Sequence, residues 1–204
     1  KAKIITSISM FYDLDDPLKF VSNIKRILDD QGIWVLEQSY LPTMLKKNSF
    51  DTICHEHLEY YSLNHINYLA KKNDLKIIDV SLNEINGGSF RIYITHSNAK
   101  YKINNKNIKK LNLIEKKLKI KNISTYKNFY KNILKIKKST QTFIKNELNK
   151  NKKIFIYGAS TKGITILQFY NLTSNDMKYA AERNPTKYNK IIPGTGIKII
   201  SEKK

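Results

Sequence analysis

Cysteine and arginine are scarce in this sequence, and long apolar runs are missing. Each shortage excludes something. Cys54 is the single cysteine among 204 residues, so no internal disulfide can form. A chain with this cysteine usage suits a reducing setting, and the expected location is the cytoplasm. No stretch approaches the roughly 20 apolar residues that a membrane helix needs, so no membrane partner is expected. Residues 1–12 lack the long apolar core and small-residue cleavage site of a signal peptide. Arginine is confined to Arg26, Arg91 and Arg183, although lysine and arginine together number 37 and the formal net charge is +20. Side chains that read phosphate and guanine bidentately are usually arginines. The lysines are instead spread along the chain and interleaved with Ile and Asn, as in a compositional bias. Residues 100–153 are the densest basic region and read as a solvated helical face, with no nucleic-acid partner expected.

What is present is a globular composition, 41% hydrophobic. Residues 3–8 (KIITSI) form a β-branched run that predicts a buried strand. In residues 17–30, Leu18, Val21, Ile24, Ile27 and Leu28 recur at helical spacing. Asp15 or Asp16 can cap that helix, and Pro17 suits its first position. Gln31-Gly32 should end it, and residues 33–36 (IWVL) predict the next strand. Strand, helix, strand in this order is a βαβ crossover, the unit of a parallel sheet. Residues 39–62 read as a loop. A helix over 65–72 and two strands over 75–82 and 89–95 follow, joined at Gly87-Gly88 as a hairpin at the sheet edge. Residues 106–149 predict two helices broken near 122–124, a connector without chemistry. Residues 153–170 predict a strand, a tight turn and a helix, opening a second βαβ-like unit.

The chemistry-bearing residues gather in three places. The first is Asp51-Thr52-Ile53-Cys54-His55-Glu56-His57, with Glu59, Tyr60 and Tyr61 behind it. Histidine titrates near neutrality and can remove a proton at cellular pH. A neighbouring carboxylate can fix its tautomer or stabilise its charged form. Zinc is the rival, but His-Glu-His is too tight for the i, i+4 spacing of a helical metal site. Catalysis, metal binding and a structural polar loop all stand open on these residues alone. The second place is Gly158-Ala159-Ser160-Thr161-Lys162-Gly163, between a strand and a helix, where backbone N–H groups and a lysine suit an anion. Its spacing is not that of a P-loop, and a plain tight turn is the alternative. The third comprises Pro193-Gly194-Thr195-Gly196 and Glu182-Arg183-Asn184, each either a pocket wall or ordinary surface. Trp34 and Phe11 read as core side chains rather than cofactor stackers.

Taken in order, several segments resemble the S-adenosylmethionine-dependent C-methyltransferases of deoxysugar biosynthesis. They are Ser9-Met10-Phe11-Tyr12-Asp13-Leu14-Asp15-Asp16-Pro17, Glu37-Gln38-Ser39-Tyr40-Leu41-Pro42, FDTICHEHLEYYS, the NGGSF turn at residues 86–90, GASTKG and PGTG. Only residues 101–150 carry no distinctive match. The resemblance implies an α/β fold in three parts. Residues 1–100 would be the second half of a class I, Rossmann-like methyltransferase domain. Residues 101–150 would be a Lys-rich helical connector, and residues 151–204 a partial Rossmann-like C-terminal domain. It implies a fragment that lacks the N-terminal zinc module and the glycine-rich cofactor turn, is inactive alone, and binds no metal itself. S-adenosylmethionine would be the cofactor, touched by Ser9, Met10 and Phe11. The substrate would be a nucleotide-diphosphate 4-keto-6-deoxysugar. His57 would be the base, with Glu56, His55 and Tyr60 beside it. Cys54, Tyr61, Ser160, Thr161 and Lys162 would face the substrate. A nucleotide-sugar binding module without catalysis is the competing reading, and a basic nucleic-acid-binding protein ranks behind it.

Overall fold

The computed structural model describes residues 1–203 and divides into two compact units. Unit 1 comprises Lys1–Ser49 and His55–Lys127; unit 2 comprises Phe50–Cys54 and Asn128–Lys204.

Unit 1 is a four-stranded sheet with helices packed on it. Strands β1 (Ala2–Ile8) and β2 (Leu28–Ser39) run parallel, and β2 pairs antiparallel with β4 (Ser89–His96). Strand β3 (Leu75–Asn83) pairs with β4 as a hairpin and forms the edge, giving the order β1-β2-β4-β3. The crossover and the edge hairpin expected from the sequence are therefore both present. Helix α1 (Pro17–Ile27) begins where Asp16 accepts a hydrogen bond from the Lys19 N–H, with Pro17 at the start. Its Val21 and Ile24 are buried among Phe11, Trp34 and Leu36. The Trp34 indole N–H donates to the Ser7 hydroxyl across 3.0 Å, which satisfies the polar edge of the largest core ring.

Several local expectations are corrected. Strand β1 is not buried along its length: Ser7 is buried but Ile4 and Ile8 are exposed, because β1 is an edge of the sheet. The first helix stops at Ile27 rather than at Gln31, because Leu28 leaves it in extended conformation to fill the core. Gly32 then lies inside β2, not past a helix end. A Cβ there would come within 2.8 Å of Leu28 Cδ1 and 2.9 Å of the Ala2 carbonyl oxygen, so close approach requires the glycine. Residues 39–62 are not one loop: they contain α2 (Leu41–Lys47) and a 3-10 turn at Phe50–Thr52. Pro42 lies in the first turn of α2, where its missing N–H costs nothing. Helix α3 (Leu63–Lys72) starts two residues earlier than expected, because Ser62 and His65 form a reciprocal capping box.

The Lys-rich stretch holds two helices, as expected, with the break at residues 119–122. Helix α4 (Asn105–Leu118) belongs to unit 1, and most of α5 (Ile123–Asn149) belongs to unit 2. Unit 2 contains a parallel sheet of β5 (Ile156–Tyr157), β6 (Tyr179–Glu182) and β7 (Lys198–Ser201), in that order. Helix α6 (Thr161–Phe169) follows β5. Phe50, Phe169 and Tyr170 pack together with ring centroids 5.0–6.0 Å apart. Among the described residues, no helix is long and apolar enough to cross a membrane.

Candidate functional site

In unit 1 the chain is braced at the carboxyl ends of β1 and β2. Ser9 follows β1 with φ of 52°, a left-handed conformation that costs a serine free energy. Two hydrogen bonds and the turn that follows hold it there. Its N–H donates to the Glu37 carbonyl at 2.8 Å, its hydroxyl accepts from the Asn86 side-chain amide at 3.2 Å, and its successor Met10 opens the 3-10 turn Phe11–Asp13. Asn86 reaches Ser9 because the β3–β4 turn is itself left-handed, with φ of 54° at Asn86, 84° at Gly87 and 131° at Gly88. A Cβ on Gly88 would meet Thr43 Cγ2 at 2.3 Å, so this turn and α2 fit only through glycine.

The His-Glu-His segment joins the same region. The N–H groups of Leu58 and Glu59 both donate to the Tyr12 carbonyl, at 2.9 and 3.1 Å. The His57 ring lies edge-on to the Tyr12 ring with centroids 4.4 Å apart. His57 and Tyr60 are half-buried, whereas His55 and Glu56 are exposed. In β2, Glu37, 3% exposed, accepts a 2.6 Å ion-paired hydrogen bond from Arg91. A carboxylate so buried needs a cation or several hydrogen-bond donors to offset its lost hydration.

The candidate residues fall into different environments. Ser9, Met10, His57 and Tyr60 sit at the strand ends of unit 1. Phe11 and Tyr61 do not present their rings there: both are in the core, 0% and 5% exposed, with their ring centroids 5.2 Å apart. The Phe11 ring is therefore closed to a cofactor, for the same reason that Trp34 is. The Tyr61 hydroxyl is buried without a hydrogen-bond partner, and burial, with Glu59 second, pushes its pKa up. The Tyr61 carbonyl accepts from the Leu41 N–H, which ties the segment to α2. Cys54 belongs to unit 2, as do Ser160, Thr161 and Lys162. Among the described residues, no group of three His, Cys, Asp or Glu side chains could hold a metal ion.

In unit 2, Gly158 turns the chain with φ of 94° between β5 and α6, and the Ser160 hydroxyl caps α6 by accepting from the Gly163 N–H. The turn already holds an anion of its own. The Glu182 carboxylate accepts from the backbone N–H groups of Ala159, Arg183 and Asn184 at 2.8–3.0 Å, with the Lys187 ammonium 3.6 Å away. The Asn184 and Ala159 N–H groups do most to lower its pKa, to about 2. Glu182 thus stands inside the fold rather than on bland surface. The PGTG segment is a structural turn: the Thr195 hydroxyl donates to the Ile192 carbonyl and accepts from the Ile197 N–H. Tyr12 was expected beside the cofactor as the last of residues 9–12, whereas Asn86 and Glu37 had no role of their own in the sequence. The only local signal was the position of Asn86 before two glycines, since the other contacts join residues far apart in the chain.

A mixed sheet with a parallel crossover, a terminal antiparallel hairpin and polar groups at its strand ends is the Rossmann-like architecture of a class I methyltransferase. Residues 1–80 match the family described as methyltransferase domain, and residues 84–204 match the C-methyltransferase C-terminal domain. The chain belongs to the C-methyltransferase family. It is 25% identical over 200 residues to the C-methyltransferase NovU of Streptomyces niveus, covering 98% of this chain and 47% of that protein. The chain thus spans about half the length of that curated relative.

Proposed function

We propose that the protein methylates carbon in a nucleotide-linked 4-keto-deoxysugar, with S-adenosylmethionine as methyl donor. The observation that carries this reading is the seating of His57 against Tyr12 at the carboxyl end of β1, in a C-methyltransferase chain. Open α/β sheets bind their ligands outside these strand ends. The residues present suit one flank of the cofactor: Ser9 and Met10 end a parallel strand, are half-buried, and are held by Glu37 and Asn86.

The substrate chemistry follows from its ketone, which acidifies the C–H at the adjacent carbon 3. His57 takes that proton and the electron pair delocalises onto the carbonyl oxygen, giving an enolate. The imidazole suits this task because its ordinary pKa lies near neutrality. Glu56 stabilises the imidazolium that forms, and His55 and Tyr60 hydrogen-bond the sugar. When bound, S-adenosylmethionine supplies the electrophilic methyl group that the enolate carbon requires. Phe11 and Tyr61 serve as the packed floor under this segment. Lys162, with Ser160 and Thr161, faces the nucleotide part of the substrate. Their neighbouring turn amide, that of Ala159, is taken by Glu182, so the phosphate contact falls to the lysine and the hydroxyls.

The test incubates the intact protein with S-adenosylmethionine and a dTDP-4-keto-6-deoxyhexose and follows mass. A gain of one methyl group on the sugar, located at carbon 3, supports the reading. Methyl transfer to oxygen or nitrogen alone would contradict it.

A further inference from the structure

Helix α4 shows no motif and stands in the Lys-rich stretch, yet it carries a carboxylate at 1% exposure. This is Glu115, the one acidic residue in α4. It reaches two segments far away in sequence. One oxygen accepts from the Tyr40 hydroxyl at 2.9 Å and from the Leu63 N–H at 2.6 Å. The other accepts from the Asn64 N–H at 3.3 Å and from the Asn64 side-chain amide. All four partners are donors, the set a carboxylate requires, and among the described residues no cation is paired with it. Leu63 and Asn64 are the first residues of α3, whose N-terminal dipole also favours negative charge.

These bonds fall next to the His-Glu-His segment. Residues 58 and 59 are anchored to the Tyr12 carbonyl, and Tyr61 is anchored to Leu41, the residue after Tyr40. Glu115 fixes both Tyr40 and the start of α3, so it sets where the segment ends and where its neighbour α2 begins. The other α4 contacts with the rest of unit 1 carry no charge of the helix's own: Leu111 and Ile108 pack on the core, and the Asn107 side-chain amide donates to Asp79 of β3 across 2.8 Å. A buried anion in such a place costs desolvation and gives directional contacts in return.

We infer that Glu115 is a positioning residue for the 55–61 segment, acting from the helical stretch on the register of His57. This rests on the proposed role of His57. The chain is then a catalytic loop braced from both sides, by Tyr12 on one and by α4 on the other.

The test combines two readouts on Glu115→Gln, which keeps the shape and removes the charge. In amide hydrogen exchange of the folded protein, residues 55–64 should exchange roughly 10- to 100-fold faster, the range of a hydrogen bond to a charged group. The amides of β2 and β4 should keep their rates. In the intact protein, kcat for methyl transfer should fall roughly 10²-fold, as for a misplaced catalytic group. The KM for the keto sugar should stay within about twofold, since ground-state contacts are kept. Tyr40→Phe removes one donor while leaving the anion, and should shift exchange in the same residues less. It serves as the second variant if Glu115→Gln does not fold. Exchange that quickens equally in β2 and β4, or that is unchanged in residues 55–64, would overturn the inference, as would an undiminished kcat. If the unaltered protein transfers no methyl group, the functional reading fails, and the exchange data alone decide the role of Glu115.

Discussion

At the carboxyl end of β6, the Glu182 carboxylate takes two backbone amides of its own turn and that of Ala159 after β5. At the carboxyl end of β1, Ser9 is held in a left-handed conformation, and His57 rests half-buried on Tyr12. Both places follow a parallel strand, and both are where α/β sheets bind ligands. They differ in what their polar groups do. In unit 2 the strand-end groups largely satisfy one another, with Ser160 capping α6 and Arg183 pairing with Glu202. In unit 1 the bracing reaches His57 through Tyr12 and leaves its two neighbours, His55 and Glu56, exposed. The contrast teaches that a glycine turn before a helix is weak evidence for chemistry, whereas a strained residue braced by two distant segments is stronger evidence.

The contrast can be broken by substitution. The largest effect is expected from His57→Ala, which should lower methyl-transfer turnover in the intact protein roughly 10²- to 10⁴-fold. Steady-state kinetics read it, and sugar-nucleotide binding should survive. Next, Phe11→Ala should cost about 3–5 kcal/mol of stability in unit 1, because a fully buried ring is lost. Urea unfolding followed by Trp34 fluorescence measures it. A cofactor-stacking role without core packing would leave that transition unmoved. Glu182 gives a smaller effect that depends on pH. Its folded pKa of about 2 lies below the ordinary 4.5, so the stability it contributes is present above 4.5 and is lost as pH falls towards 2. Amide exchange in β6 and α6 across that window should quicken on acidification, and Glu182→Gln should flatten the dependence. The smallest effect, about 1 kcal/mol, is expected for Ser160→Ala, the loss of the α6 cap. A much larger loss of substrate binding in that variant would give the unit 2 turn a ligand role and erase the contrast.

Much of unit 1 was legible because its signals are local. Asp16-Pro17 marks a helix start, the β-branched runs mark strands, and Asn86-Gly87-Gly88 marks a hairpin turn. Gly32 misled because a glycine after a helical pattern looks like a helix stop. Its real reason, contact with Leu28 and Ala2, appears only once β1 and β2 are paired. Helix α2 is hard to read from sequence because it has only seven residues, the second of them a proline. The His-Glu-His segment was legible as a cluster of titratable residues, but the burial of Tyr61 was not, since its sequence neighbours are polar. Glu115 was beyond reach for another reason: its partners Leu63 and Tyr40 are 52 and 75 residues away.

The central claim is that His57 removes a proton from carbon. The most direct measurement incubates the intact protein with the keto sugar in deuterated water and follows deuterium entering carbon 3. The expected result is exchange by the unaltered protein and none by His57→Gln. Equal exchange by both proteins would contradict the claim and assign the base to another residue.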